Sequence, residues 1–160
     1  MESQVGVGTT FKVFLPAIPR SRAAPAEAVA TTDVRGGHET VLVVEDEAAL
    51  RGLTRLVLQR HGYRVLEAAS GVEALSVWEE HKGQIDLLLT DMVMPEGLTG
   101  RELAKQLRAQ QPALKVIYVS GYSLDSSGTT FRRRDASTFL QKPYHPRKLA
   151  QTIRHCLDQK

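Results

Sequence analysis

Four separate apolar segments of this chain are each followed by a side chain that can do chemistry. In chain order, these side chains are Glu45 and Asp46, Asp91, Ser120, and Lys142. If the fold brings them together, they form a site of three carboxylates, one hydroxyl and one ammonium. The chemistry of such a site depends on what balances its negative charge.

Three carboxylates at one place repel each other and raise one another's pKa unless a cation compensates them. A set of oxygen ligands without His or Cys suits a hard ion such as Mg²⁺. The hydroxyl of Ser120 and the ammonium of Lys142, at the same rim, can contact the oxygens of an incoming phosphoryl group. Asp91 is the central carboxylate and therefore the natural nucleophile.

Each of these residues, taken alone, also has a simpler interpretation. Asp46 or Glu47 would cap the following helix, and Asp91 or Ser120 would be a turn residue. Lys142 alone would be a solvated surface lysine. The functional interpretation depends on all four strand ends carrying a suitable group in order.

The elements that position these residues alternate regularly along the chain. Val41 to Val44 is a continuous β-branched run, typical of a strand covered on both faces. Strands are predicted at 41–44, 63–68, 85–90, 115–119 and 138–140. Helices are predicted at 47–61, 72–81, 100–110, 124–135 and 146–157, of which the polar segment 124–135 has the weakest pattern.

Five strand and helix pairs in strict alternation predict an α/β fold, a doubly wound parallel sheet with helices on both faces. In such sheets the ligand site lies beyond the carboxyl ends of the strands. All of the candidate residues are predicted at that edge.

Composition limits the function classes. The chain has 160 residues, 42% of them hydrophobic, and a net charge of +3 from 21 basic and 18 acidic residues that form no single-sign block. Neither nucleic acid nor a membrane is therefore expected as a partner. The single cysteine, Cys156, favours a reducing compartment such as the cytoplasm, and no apolar run is long enough to span a membrane. The parent protein could still be membrane-anchored.

The amino-terminal part has a different character. Residues 16–37 are rich in Pro and Ala without a sustained apolar period and are predicted to be a flexible linker. Before them, a glycine turn leads into an alternation of Phe11, Val13 and Leu15 that predicts a strand. Since a lone strand is not stable, residues 1–15 are interpreted as the edge of another domain.

The four strand-end segments resemble the signature segments of response-regulator receiver domains. The resemblance covers residues 38–158 and implies a receiver domain at 38–160. The four segments read Val-Leu-Val-Val-Glu-Asp-Glu at 41–47, Leu-Thr-Asp-Met-Val-Met-Pro at 89–95, Val-Ser-Gly at 119–121 and Gln-Lys-Pro at 141–143. The resemblance implies a five-stranded, flavodoxin-like or CheY-like (βα)5 sheet with strand order 2-1-3-4-5.

Carried over residue by residue, the resemblance makes Asp91 the phosphoacceptor. It implies a Mg²⁺ site formed by Asp46, Asp91, Glu45 acting mainly through water, and the backbone carbonyl of Val93. Ser120 would be the switch hydroxyl, Lys142 would contact the phosphoryl group, and Pro143 would follow a cis peptide bond.

The resemblance also implies that Phe139 is the rotating aromatic side chain of the switch. Many family members have Tyr at that position, and more have Asp than Glu where Glu45 stands. The longer acid at position 45 can alter metal affinity, and Phe139 lacks a hydroxyl that could report the switch.

The segment from Ser3 to Pro16 resembles the last glycine box and final strand of a histidine-kinase ATP-binding domain. This second resemblance implies the C-terminal receiver of a hybrid sensor kinase, with residues 1–15 too short to bind ATP. A disordered tail on a free-standing regulator is the alternative.

The implied function is a Mg²⁺-dependent transfer of a phosphoryl group from a phosphohistidine to Asp91, with slow autodephosphorylation. The donor would be a histidine kinase or a histidine phosphotransfer protein, and no DNA-binding element is expected. The main alternative is a pseudo-receiver that binds partners without phosphorylation. A phosphohydrolase is disfavoured because Val93 provides no general acid or base, and a nucleotide or flavin site lacks a Gly-rich cradle after residue 44.

Overall fold

The structure, a computed structural model, describes residues 1–14, 35–94, 97–121 and 137–159. The chain divides into two compact units, residues 1–33 and 34–160. None of the helices in the described ranges is long and apolar enough to cross a membrane. The predicted helix at 124–135 lies outside the described residues.

The first unit contains a two-stranded antiparallel hairpin of β1 (Glu2–Gln4) and β2 (Gly8–Thr10). The predicted strand through Phe11 and Val13 is therefore wrong in position, since the strand is Gly8–Thr10 and residues 11–14 are irregular, whereas Leu15 lies outside the described residues. Apolar alternation was misleading because Phe11 and Val13 are exposed. The two strands of the hairpin are joined by a turn at residues 5–7, and Gly6 in the turn and Gly8 at the start of β2 both have positive φ.

The second unit is a parallel sheet covered by helices. Its elements, in chain order, are β3 (Thr40–Val44), α1 (Ala48–Arg60), β4 (Arg64–Ala68), α2 (Gly71–Glu80), β5 (Leu87–Asp91), α3 (Gly100–Gln110), β6 (Lys115–Ser120), β7 (Ser137–Gln141) and α4 (Pro146–Asp158). The five strands lie in the order β4-β3-β5-β6-β7, all paired in parallel. This is the predicted order 2-1-3-4-5, and the predicted fold class is confirmed.

Alternate side chains of each strand enter two separate cores. Val41 and Val43 of β3 pack with α1 and α4 on one face, whereas Leu42 and Val44 pack with α2 and α3 on the other. Both sets are fully buried, which explains why β3 is a continuous apolar run.

Helix ends are fixed by local hydrogen bonds. The hydroxyl of Thr99 accepts from the Glu102 amide, and the Glu102 carboxylate accepts from the Thr99 amide, which together form a capping box at the start of α3. Pro146 occupies the first turn of α4, where its missing N–H is not needed. These caps fix the first residues of α3 and α4. They therefore also fix where the two preceding loops, which follow β5 and β7, end.

The chain enters the second unit at the amino end of the sheet. The amide of Gly37 donates to the carbonyl of His61 at the end of α1, at 3.0 Å. A β-carbon added at Gly36 would overlap that same carbonyl, so the backbone at 36–37 packs closely against the end of α1. Gly36 and Gly37, at the end of the predicted linker, are thus packed on the second unit.

Candidate functional site

The three predicted acidic residues lie together at the carboxyl edge of the sheet. Glu45 and Asp46 follow β3, and Asp91 is the last residue of the neighbouring strand β5. One carboxylate oxygen from each of the three lies within 4.8 Å of the others. The parallel pairing of β3 and β5 makes this convergence unavoidable, because both strands end at the same edge.

Lys142 reaches this cluster from β7, across the end of β6. Its Nζ lies 2.6 Å from Oδ2 of Asp91 and 2.7 Å from Oε2 of Glu45. The backbone amide of Lys142 donates to the carbonyl of Ser120 at 2.8 Å, which ties the start of the Lys142 loop to β6. The peptide bond between Lys142 and Pro143 is cis, as the resemblance implies.

Burial and charge shift the pKa of two groups in the cluster. Burial raises the pKa of the Glu45 carboxyl, and the negative charges of Asp91 and Asp46 act in the same direction against the opposing effect of Lys142. Burial alone would lower the pKa of the Lys142 ammonium, but its hydrogen bonds to Asp91 and Glu45 raise it. Two of the three carboxylates, those of Glu45 and Asp91, thus share one ammonium, and the cluster as a whole favours additional positive charge.

The local backbone fixes the direction of Asp91. Its Oδ1 accepts a hydrogen bond from the amide of Val93 at 3.1 Å, so the two carboxylate oxygens face different donors. The amide of Met92 donates to the carbonyl of Val119, which anchors the loop to β6. Gly100 lies against the Asp91 carbonyl so closely that an added β-carbon would overlap it. The Val93 side chain is 69% exposed, consistent with a role for its backbone alone.

Ser120 and Phe139 lie beside the acidic cluster, on the two strands beyond β5. Ser120 is the last residue of β6, half-buried, and its neighbour Val119 is in register with Asp91. The Phe139 ring of β7 stacks on Tyr118 with ring centroids 5.4 Å apart. Phe139 is also half-buried, so its ring lies partly at the surface.

Two contacts near the cluster were not predicted from sequence. Arg51, in the first turns of α1, donates to the backbone carbonyl of Glu45 at 2.6 Å. The hydroxyls of Thr54 and Tyr144 lie 3.2 Å apart and join α1 to the segment after Lys142. Arg51 could have been predicted from its position, because it is a basic residue about one helical turn after the acidic end of a strand. For Tyr144, the only indication in the sequence is its position directly after Lys142-Pro143.

The chemistry of the donor set fits a hard divalent cation. Each of the three acidic residues in the cluster offers a carboxylate oxygen. The pKa of Glu45 is raised mainly by burial, and the negative charges of Asp91 and Asp46 add to this effect. Asp46 is exposed, so an ion can reach the cluster from solvent.

A doubly wound sheet with an acidic pocket, a lysine and a hydroxyl at its carboxyl edge defines a signalling domain of the two-component type. The family model for the response regulator receiver domain matches residues 41–154. The chain belongs to this family.

The similar proteins include a sensor kinase and several transcriptional and response regulators. Over 164 residues, covering 98% of this chain and 17% of the relative, the chain is 41% identical to the sensor kinase CckA of Brucella abortus (strain 2308). The chain thus spans a small part of that protein, and about half of several transcriptional regulators that it also matches.

Two solved structures are also similar to this chain. The crystal structure of the receiver domain from the hybrid histidine kinase CckA is 39% identical with a TM-score of 0.63, over 74% of this chain and 99% of that one. The response regulator TrrA from Thermotoga maritima, solved in complex with Mg(2+)-BeF, is 30% identical with a TM-score of 0.62, over 74% of this chain and 98% of that one.

Proposed function

We propose that this domain accepts a phosphoryl group on the carboxylate of Asp91 from a phosphohistidine. The observation that carries the proposal is the convergence of Asp91 with Glu45, Asp46 and Lys142 at the carboxyl edge of the sheet. A carboxylate oxygen of Asp91 attacks phosphorus, and the phosphorus–nitrogen bond of the donor breaks. The electron pair of that bond stays on the imidazole nitrogen, and the product is an acyl phosphate.

Glu45, Asp46 and Asp91, together with the backbone carbonyl of Val93, would hold Mg²⁺. When bound, the ion neutralises negative charge on the oxygens of the transferring group. The response regulator TrrA, which is 30% identical to this chain, was solved in complex with Mg(2+)-BeF, and this supports a metal in the domain. In this chain, Glu45 is one methylene longer than the Asp that is more usual there.

Lys142 has two roles in the proposal. Before transfer, its ammonium donates to Oδ2 of Asp91 at 2.6 Å and fixes the direction of that carboxylate. After transfer, the same ammonium is within reach of the new phosphoryl oxygens and compensates their charge. Because its pKa is raised, Lys142 stays protonated at neutral pH.

The response to phosphorylation would run through Ser120 and Phe139. The phosphoryl anion attracts the Ser120 hydroxyl, and the ring of Phe139 follows into the space that becomes free. Since Phe139 is half-buried and stacked on Tyr118, its displacement changes the surface formed by β7 and α4. That surface would bind the downstream partner, and slow autodephosphorylation would reset it.

The phosphodonor would be a histidine kinase or a histidine phosphotransfer protein in the cytoplasm. The alignment with the sensor kinase CckA extends over 98% of this chain, which supports a hybrid kinase as the parent protein. In that arrangement residues 1–15 are the end of the ATP-binding domain and residues 16–37 are the linker to the receiver. The parent would then be an enzyme, whereas this domain is its phosphoacceptor.

The proposal is tested by incubation with acetyl phosphate, with and without Mg²⁺, followed by intact-mass measurement. Wild type is expected to gain one phosphoryl group only with Mg²⁺, Asp91→Asn none, and the control Asp158→Asn the same as wild type. Ser120→Ala is expected to be labelled but to lose the change in Phe139 environment, read by ¹⁹F NMR of fluorophenylalanine. If neither acetyl phosphate nor a phosphohistidine protein labels the wild type, the domain is a pseudo-receiver.

A further inference from the structure

Arg51 contacts the loop that carries two of the three acidic residues. Its Nη1 donates to the backbone carbonyl of Glu45 at 2.6 Å and to that of Asp46 at 3.4 Å. Its own backbone amide donates to the carbonyl of Glu47 at 2.9 Å. One residue of α1 therefore holds three successive carbonyls of the loop between β3 and α1.

This loop has few other restraints in the described part of the chain. The amide of Glu45 donates to the carbonyl of Ala68 at the end of β4, at 3.2 Å. Glu47, the N-cap of α1, makes no side-chain capping hydrogen bond. Among the described residues, none donates a hydrogen bond to the carboxylate of Asp46. The direction of the Asp46 carboxylate is thus set by its backbone, and that backbone is held by Arg51.

The side chain of Arg51 is itself held in place. It is 20% exposed, and its Nε lies 3.9 Å from Oε2 of Glu67 on β4. Glu67 also pairs with Arg55, at 3.2 Å from Nη1, but the Arg55 side chain is 45% exposed and makes no hydrogen bond to residues 45–47. Arg51 and Arg55 thus share a partner and a helix and differ in their contact with the loop.

We propose that Arg51 is a positioning residue for the cation site, which holds the carboxylates of Glu45 and Asp46 toward Asp91 through the loop backbone. The inference rests on the proposed Mg²⁺ site and adds a residue that is not one of its ligands. A planar guanidinium suits this role, since Nη1 donates to the two neighbouring carbonyls while Nε faces Glu67. Residues that orient metal ligands typically change metal affinity about 10-fold or more when they are replaced.

The direction of the change in Mg²⁺ affinity distinguishes a positioning role of Arg51 from a purely electrostatic one. Arg51 is a positive charge beside a cation site, so a purely electrostatic role predicts that Mg²⁺ binds more tightly once the charge is removed. A positioning role predicts weaker binding, because the two carboxylates lose their fixed direction. The two interpretations therefore give opposite results for Arg51→Gln.

The test uses the full chain as wild type, Arg51→Gln, Arg51→Lys and the matched control Arg55→Gln. Isothermal titration calorimetry gives the Mg²⁺ affinity, and hydrogen exchange gives the mobility of amides 45–47 in metal-free protein. We expect Arg51→Gln to weaken Mg²⁺ binding about 10-fold and to speed exchange of those amides. Arg51→Lys keeps a positive donor but replaces the guanidinium with one compact ammonium. It should lose less Mg²⁺ affinity and show slower exchange of those amides than Arg51→Gln, and Arg55→Gln should behave as wild type.

Unchanged or tighter Mg²⁺ binding in Arg51→Gln would overturn the proposal, as would an equal loss in Arg55→Gln. If Arg51→Gln does not fold, Arg51→Lys decides in the same way. If wild type binds no Mg²⁺, the metal site of the proposed function fails, and hydrogen exchange alone then tests Arg51. In that case, unchanged exchange at 45–47 overturns the positioning role.

Discussion

Lys142 and Asp91 are separated by 51 positions in the chain, yet the ammonium of one lies 2.6 Å from Oδ2 of the other. They belong to the ends of β7 and β5, which are not neighbours in the sheet, because β6 lies between them. The ion pair therefore spans the carboxyl end of β6, which lies between the two strands. Its inner partner is Glu45, whose side chain is only 6% exposed.

Replacing Lys142 with Met should destabilise the metal-free protein by about 2 kcal/mol. The buried Glu45 would then face Asp91 without an ammonium, although the loss is smaller than for a fully buried pair because Lys142 is 21% exposed. Urea unfolding at pH 7 measures this, and added Mg²⁺ should reduce the difference. Lys148→Met, at an exposed position of α4, is the control. An equal loss in both variants would contradict the prediction.

Mg²⁺ should stabilise the protein against thermal unfolding through the acidic cluster. At 100 times its dissociation constant, a ligand that binds only the folded state adds about 2.7 kcal/mol. Asp46→Asn should lose most of this stabilisation, whereas Glu47→Gln should keep it because Glu47 lies outside the cluster. The measurement is the unfolding temperature across a Mg²⁺ titration. A stabilisation that survives in Asp46→Asn would place the ion elsewhere.

Gly100→Ala should cost about 2 kcal/mol of stability and slow phosphorylation of Asp91. The new methyl group would overlap the Asp91 carbonyl, so the end of β5 or the start of α3 must move. Gly52→Ala, inside α1 with nothing within 4 Å of the added carbon, should instead raise stability by about 0.7 kcal/mol. Urea unfolding and the rate of acetyl phosphate labelling together check this pair of variants. Normal labelling in Gly100→Ala would show that the acceptor tolerates the shift.

The ion pair of Glu39 with Arg154 should make part of the stability depend on pH. Burial alone would raise the pKa of Glu39, but hydrogen bonds from backbone amides and from Arg154 at 2.8 Å lower it below its ordinary value of 4.5. The stabilisation is therefore complete above the unfolded-state pKa and is lost as the pH falls through the lower folded-state pKa.

Glu39→Gln should accordingly reduce the free energy of unfolding by about 1 kcal/mol at pH 7. The difference from wild type should shrink as the pH is lowered below about 4.5 in a series of urea titrations. Glu79→Gln, on an exposed pair with Lys82, should change nothing at any pH. A difference for Glu39→Gln that stays constant down to the acid transition would show that the carboxylate charge is not its source.

Sequence patterns predicted the sheet because its central strands, β3, β5 and β6, are buried on both faces. The runs in β3 and β5 are continuously apolar, so their ends are unambiguous, and the acidic residues just beyond them could be placed at one edge. Strand positions were predicted to within two residues. The order of strands and the roles of Ser120 and Phe139 came from family resemblance, which apolar periodicity alone does not provide.

Two features escaped prediction for physical reasons. The apolar residues Phe11 and Val13 alternate as in a strand, but they are 71% and 80% exposed, so their spacing does not reflect a buried face of this hairpin. Arg51 acts on backbone carbonyls, which every residue has, so its contacts leave no mark in the types of residue at 45 and 46.

The close fit of Gly36 and Gly37 at the end of α1 has a consequence for access. The chain joins the sheet at the amino end of β3, whereas Asp91 lies at the carboxyl end of β5, about a strand length of 16 Å away. The residues by which the chain joins the sheet therefore do not cover the edge at which Asp91 lies. A phosphohistidine partner would therefore approach the domain from the end opposite to Gly36 and Gly37.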